Sequence, residues 1–167
     1  PKDTYYTWTK AFREKGAKVI LDADGDLLKA GLKASPYLIK PNNHELGALT
    51  GRALETPEEI AETAAELMKE YGIGKVVVSM GGDGAVYVTK DKTIYAEGLK
   101  VPVGSTVGAG DSVVAALAVS EEEGKTLEET VRLSTAVGAA NVMCSGTQAA
   151  EYEVVETLLP KVVFRTI

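Results

Sequence analysis

A run of valines followed by glycines lies between residues 75 and 84, which read Lys75-Val76-Val77-Val78-Ser79-Met80-Gly81-Gly82-Asp83-Gly84. The apolar run predicts a strand buried on both faces, as in a parallel sheet. The glycines predict a tight turn where that strand ends. Because ligands of open α/β sheets bind beyond the carboxyl ends of the strands, four residues here are candidates for lining a nucleotide site: Ser79, Gly81, Gly82 and Gly84. An ordinary Gly-Asp-Gly turn explains the segment equally well.

Two shorter apolar runs, residues 19–21 and 37–39, precede this segment and predict further buried strands. Helical patterns separate them, and strands that alternate with helices predict a parallel sheet covered on both faces. Residues 85–88 and 93–96 predict a hairpin, and the last third of the chain is mostly helical in pattern. With no internal repeat or linker, residues 1–167 read as a single α/β domain.

Two helices carry clear start signals. Thr56 with Glu59, and Thr126 with Glu129, have the spacing of a capping box. Pro57 occupies the first helical position of the earlier of these helices. We therefore expect Thr56 and Thr126 to be the N-caps of these two helices.

The first predicted helix covers residues 3–15. Its apolar residues Tyr5, Trp8 and Phe12 recur at spacings of three and four, which places them on one face. We expect this face to be buried.

The composition excludes several classes of protein. The 167 residues carry 18 Lys+Arg against 24 Asp+Glu, a net charge of −6, and this acidic balance argues against a nucleic-acid partner. No apolar run approaches the roughly 20 residues of a membrane-spanning helix, and no signal peptide opens the sequence. We therefore expect a cytoplasmic protein with no membrane partner. One cysteine, Cys144, and one histidine, His44, leave only oxygen ligands for any metal.

A second glycine-rich segment directly precedes a predicted helix and reads Ser105-Thr106-Val107-Gly108-Ala109-Gly110-Asp111-Ser112. The free N–H groups and the dipole at a helix start favour an anion such as phosphate. Asp111 has two interpretations, which are compatible. It is the N-cap of the helix beside a tight turn, or it is a general base that takes a proton from a hydroxyl attacking a phosphate.

A third segment follows the strand at residues 37–39 and reads Lys40-Pro41-Asn42-Asn43-His44-Glu45. Asn42 and Glu45 are three residues apart at a helix start and could share a face that holds a water-coordinated magnesium ion. In the alternative interpretation, Asn42 or Asn43 caps the helix and Glu45 complements its dipole.

Together and in this order, these three segments resemble the PfkB (ribokinase-like) sugar kinases. The residue sequences of the motifs are most similar to the hexose-phosphate branch, the 1-phosphofructokinases and tagatose-6-phosphate kinases. The resemblance covers essentially the whole chain, and residues 108–111 carry its most specific motif. It implies a ribokinase-like, three-layer α/β/α fold with a mainly parallel sheet.

The resemblance also implies roles for the site residues. Asp111 would be the catalytic base, and the amides of Gly108, Ala109 and Gly110 would form an anion hole for the migrating phosphoryl group. Residues 79–84 would line the ATP site. Asn42 would lie near the ATP phosphates, with Glu45 near Mg²⁺.

By the same resemblance, the chain corresponds to the C-terminal half of such a kinase, truncated at its N-terminus. The reaction implied is ATP-dependent phosphorylation of a sugar phosphate, with conversion of fructose 1-phosphate to fructose 1,6-bisphosphate as the best match. Alternatives are tagatose 6-phosphate, another acceptor of the ribokinase-like kinases, or a non-catalytic nucleotide-binding fragment. We expect the isolated chain to have little or no kinase activity and to self-associate through an exposed sheet edge.

Overall fold

A computed structural model describes residues 3–167, which form both helices and strands. Within this range the helices are α1 (Thr4–Glu14), α2 (Gly25–Leu32), α3 (Asn43–Thr50), α4 (Pro57–Tyr71), α5 (Ala109–Glu122), α6 (Leu127–Val142) and α7 (Tyr152–Leu158). The strands are β1 (Ile20–Leu21), β2 (Leu38–Ile39), β3 (Lys75–Ser79), β4 (Gly84–Thr89), β5 (Thr93–Glu97) and β6 (Phe164–Thr166). Short 3₁₀ turns follow β3 (Gly81–Asp83) and α7 (Leu159–Lys161).

The strands form one mixed sheet in the order β1-β2-β3-β4-β5-β6. β1, β2 and β3 are parallel, and the register pairs Leu21 with Ile39 and Ile39 with Val76. β4 runs antiparallel to β3, because the 3₁₀ turn between them is far shorter than a parallel crossover requires. The predicted α/β class is confirmed, and the parallel arrangement holds for the first three strands.

The described residues divide into two compact units. The first comprises the chain up to Met80 together with Ala85–Tyr95 and Thr166–Ile167. Its core consists of fully buried aliphatic side chains from helices and strands, among them Leu32, Ile39, Leu46, Ile60 and Val76. The β-branched residues of β3 suit this position, because they pack well on a pleated sheet.

The second unit comprises Gly81–Gly84 and Ala96–Arg165. Its core is built by α6, α7 and the segment after α7 around Ala136, Ala140, Val155, Leu158 and Val162. Small residues on α5 and α6 bring those two helices close together. A Cβ on Gly138 of α6 would lie 2.8 Å from a methyl group of Val113 on α5.

Both predicted capping boxes are present. The Thr56 hydroxyl accepts from the Glu59 N–H at 3.2 Å, and the Thr126 hydroxyl accepts from the Glu129 N–H at 3.2 Å. In return, each glutamate accepts a hydrogen bond from the backbone N–H of its threonine, and this bond lowers the pKa of both carboxyl groups below the ordinary value.

The predicted buried face of α1 is wrong. Trp8 is 60% exposed and Phe12 is 53% exposed, while the buried residue of this helix is Thr9. Tyr5 is partly buried against the core of the first unit. An amphipathic pattern shows which residues share a face but not which face another element covers.

Candidate active site

Asn42 and Glu45 lie together in the first unit, at the start of α3. The Asn42 side chain accepts a hydrogen bond from the Glu45 N–H at 2.8 Å, and the Asn42 N–H donates to Glu45 Oε2 at 2.9 Å. These reciprocal bonds form a capping box, so the capping interpretation is confirmed for Asn42. Asn43 is the first residue of the helix and not its cap.

Ser79, the last residue of β3, lies beside this helix start. Its N–H donates to the Pro41 carbonyl at 3.1 Å, and Asn42 and Ser79 form a parallel bridge. The carboxyl ends of β2 and β3 therefore bring the predicted residues Asn42, Glu45 and Ser79 to one edge of the sheet, where open α/β sheets bind ligands.

An ion pair that the sequence did not predict lies at the same edge. Lys40 is only 8% exposed, and its Nζ lies 3.5 Å from Asp22 Oδ1. Because Leu21 pairs with Ile39, the residues that follow them, Asp22 and Lys40, are neighbours across β1 and β2. The sequence signal for this ion pair is that Asp22 and Lys40 each directly follow the last residue of one of two adjacent strands. The carboxylate compensates the charge of the buried ammonium group, which would otherwise be costly to hold away from water.

In the second unit, the segment Gly81–Gly84 forms a 3₁₀ turn and the start of β4. Gly84 has φ +114°, and a Cβ there would overlap the Ala96 carbonyl oxygen, so the fold itself requires glycine. Gly82 is different, because it is exposed and a Cβ there would meet nothing within 4 Å. The fold of the described residues does not explain glycine at position 82.

Residues 108–111 form the start of α5. Gly108 is the N-cap, with φ +86°, and its carbonyl accepts from the Ser112 N–H at 2.9 Å. The N–H groups of Gly110 and Asp111 have no acceptor among the described residues. Unbonded amides and the positive end of a 14-residue helix make this a suitable place for an anion.

Asp111 is the third residue of α5, and the interpretation of it as the N-cap is wrong. A glycine with positive φ makes the cap three residues earlier, and no side chain bonds the helix start. The Asp111 side chain is exposed, with no hydrogen bond or ion pair to any described residue. It is therefore free to act as a base toward a ligand held at the same helix start.

No cluster of three or more His, Cys, Asp or Glu side chains suited to a metal ion occurs in the part of the chain that the structure describes. Glu45 uses Oε2 in the capping box, which leaves one carboxylate oxygen for a ligand. This donor set fits Mg²⁺ bound mainly by water and phosphate oxygens, which needs only one or two carboxylates from the protein.

Residues 1–153 match the pfkB family of carbohydrate kinases. The 1-phosphofructokinase of Haemophilus influenzae is 38% identical over 161 residues, which are 96% of this chain and 51% of that enzyme. The chain therefore belongs to the pfkB family of carbohydrate kinases, as its motifs predicted.

Solved structures agree on the fold. Phosphofructokinase-2 of Escherichia coli in complex with substrates and products superposes with a TM-score of 0.87 at 33% identity, covering 95% of this chain and 52% of that one. Arabidopsis thaliana ribokinase complexed with ribose and ATP superposes with a TM-score of 0.83 at 31% identity, covering 95% and 53%. The ribokinase-like fold is thus confirmed, and the chain spans about half the length of the relatives it matches. No helix in residues 3–167 is long and apolar enough to cross a membrane.

Proposed function

We propose that this chain is the nucleotide-binding, catalytic-base half of an ATP-dependent kinase that phosphorylates a hydroxyl of a sugar phosphate. The observation that carries the proposal is the start of α5, where the unbonded amides of Gly110 and Asp111 adjoin an exposed carboxylate without a partner. Family membership supplies the reaction class, since the family phosphorylates carbohydrates.

In this proposal Asp111 is the general base. It removes the proton of the acceptor hydroxyl as that oxygen attacks the γ-phosphorus in line, and the bond to the leaving ADP oxygen breaks. The amides of Gly108, Ala109 and Gly110 donate to the phosphoryl oxygens as negative charge develops on them. The Ala109 N–H would exchange its long 3.4 Å bond to the Thr106 carbonyl for this contact. The positive end of the α5 dipole favours the same charge.

The remaining candidate residues hold the nucleotide. Ser79 and the glycines at 81, 82 and 84 would line the ATP site, and glycine at position 82 lets the backbone approach the ligand closely. Asn42 would lie near the phosphates. Glu45 would hold Mg²⁺ through its free carboxylate oxygen, and the ion, when bound, would neutralise phosphate charge.

We propose fructose 1-phosphate as the acceptor, because several relatives at 37–39% identity are named 1-phosphofructokinase. Tagatose 6-phosphate is the nearest competitor by motif, and the E. coli structural neighbour is named phosphofructokinase-2. An ADP-release assay with a panel of hexose phosphates separates these acceptors. We further propose that the protein is soluble and acts in the cytoplasm, which is consistent with a phosphosugar substrate.

The experiment uses a chimera in which this chain replaces the matching half of the H. influenzae 1-phosphofructokinase. Asp111→Asn in the chimera should lower kcat by about 10²–10⁴-fold, because proton removal from the acceptor is lost. The apparent affinity for ATP should stay the same, since in this proposal the carboxylate acts on the acceptor hydroxyl and not on the nucleotide. Ser112→Ala, at the next position of α5, serves as the control, and unchanged turnover of the Asp111→Asn chimera would contradict the assignment.

A further inference from the structure

Helix α1 has an apolar face that its neighbours cover only in part. Tyr5 packs against the core of the first unit, and a Cβ built on Gly31 of α2 would lie 3.5 Å from Tyr5 Cβ. Trp8 and Phe12 share this face of α1 but are 60% and 53% exposed. Tryptophan is highly buried on average in folded proteins. Two exposed aromatic side chains one helical turn apart are therefore typical of an interaction surface.

The strand that follows α1 lies at an edge of the sheet. β1 has β2 as its one neighbour in the sheet formed by residues 3–167. Its other side therefore presents backbone N–H and C=O groups with no strand beside them. Residues 19–21 read Val-Ile-Leu and lack the charged residues and prolines with which edge strands avoid pairing. This edge is suited to accept a further strand.

The handedness of the strand connections shows how α1 relates to that open edge. α2 links β1 to β2, and α3 with α4 links β2 to β3, so both connections step in the same direction along the sheet. Connections between parallel strands are nearly always right-handed, which places these helices on one face. α1 lies against α2, and Arg13 Nη1 donates to the Ala34 carbonyl, just beyond α2, at 2.7 Å. A right-handed connection through α1 therefore comes from a strand on the open side of β1.

We propose that Trp8, Phe12 and the open edge of β1 form one docking surface, which binds a parallel strand from the part of a pfkB kinase that this chain does not span. The length of the relatives supports this occupant, because the matched residues are 51% of the H. influenzae enzyme and leave nearly half of it to supply the strand. A strand on the open edge lies beneath α1, where its side chains cover Trp8 and Phe12. The inference does not rest on the proposed function, since none of these residues is a candidate for binding nucleotide or acceptor.

The first test uses Trp8, the one tryptophan in the sequence, as a reporter. In the chimera with the unmatched half of the H. influenzae 1-phosphofructokinase, any tryptophan of that half is replaced by phenylalanine. Trp8 should emit at a shorter wavelength in the chimera than in the 167-residue chain, and acrylamide should quench it less. Both proteins are measured at concentrations where sedimentation shows monomers. Equal emission and quenching in the two proteins would overturn the proposal.

The second test compares the same substitutions in two contexts. Trp8→Gln or Phe12→Gln should lower the Tm of the chimera by about 5 °C or more, because a buried aromatic side chain is lost. The same variants should change the Tm of the 167-residue chain by about 2 °C at most, since these side chains lie largely in water there. The control is Tyr152→Gln, which removes an aromatic side chain that is 64% exposed in the second unit. It should shift both Tm values equally.

Two further outcomes would overturn the proposal. One is an equal shift of Tm in the chimera and in the chain for both Trp8→Gln and Phe12→Gln. The other is a chimera that self-associates and becomes monomeric on Trp8→Gln, which would assign the face to a second copy of the protein. None of these measurements uses kinase activity, so their results are separate from those that test the proposed function.

Discussion

Gly82 and Gly84 lie two residues apart in one turn, and only Gly84 is required by the backbone around it. Gly84 combines φ +114° with a close approach to the Ala96 carbonyl, whereas Gly82 has open space where a side chain would lie. Gly84 is therefore required by the fold, whereas Gly82 is available for the close approach of a ligand to the backbone.

We expect Gly84→Ala to destabilise the chain by more than about 3 kcal/mol, because strain and backbone overlap add. Gly82→Ala should leave the free energy of unfolding within about 1 kcal/mol but weaken MgATP binding. Urea unfolding and calorimetry on both variants measure these effects. A Gly82→Ala chain with unaltered MgATP affinity would contradict the role of this turn in the nucleotide site.

The capping box alone accounts for a glutamate at position 45, without any metal. A test of the proposed contact between Glu45 and Mg²⁺ therefore requires a variant that preserves the cap. Glu45→Gln keeps an oxygen that can accept from the Asn42 N–H but removes the charge. We expect weaker ATP binding in the presence of Mg²⁺ and unchanged ATP binding in EDTA.

The matched control is Glu59→Gln, which makes the same change in the capping box of α4. It should leave ATP binding unchanged under both conditions. If both variants change ATP binding equally, Glu45 is not part of the proposed metal site.

At the scale of elements, helix caps can be predicted from a few neighbouring residues, and the alternation of strands with helices predicts the parallel order of β1, β2 and β3. The capping boxes of α4 and α6 were predicted because each depends on residues three apart. β6, of three residues, was missed because its stability comes from pairing with a distant strand. The start of α5 was predicted three residues late, because Gly108 caps it by backbone conformation alone.

The capping box of α6 gives a pH dependence. The pKa of Glu129 is lowered from 4.5, chiefly by the hydrogen bond from the Thr126 N–H at 2.7 Å. The unfolded chain therefore binds this proton more readily, so the stabilisation is complete above about pH 4.5 and is lost as the pH falls through the folded-state pKa.

Urea unfolding from pH 7 to pH 3 measures the gap in the free energy of unfolding between the unmodified chain and Glu129→Gln. We expect this gap to be constant at neutral pH. The gap should narrow below about pH 4.5. Glu62→Gln removes an exposed carboxylate in the middle of α4 and serves as the control. A gap that widens toward acid would contradict the capping role.

At the scale of the whole molecule, the motifs predicted both the family and the fold, because order and spacing along the chain survive at 38% identity. The acceptor could not be predicted to the same depth, since the chain spans 51% of that relative and the roles proposed for the candidate residues concern the nucleotide and the base, not the acceptor. Self-association through a sheet edge stays a prediction.

The most direct measurement is calorimetric titration of the 167-residue chain with MgATP, followed by an ADP-release assay on the same sample with fructose 1-phosphate. We expect one MgATP to bind per chain, this binding to be lost when AMP replaces ATP, and the chain alone to show little or no turnover. Absence of MgATP binding at millimolar concentration would contradict the claim that this chain forms the nucleotide-binding half of a phosphosugar kinase.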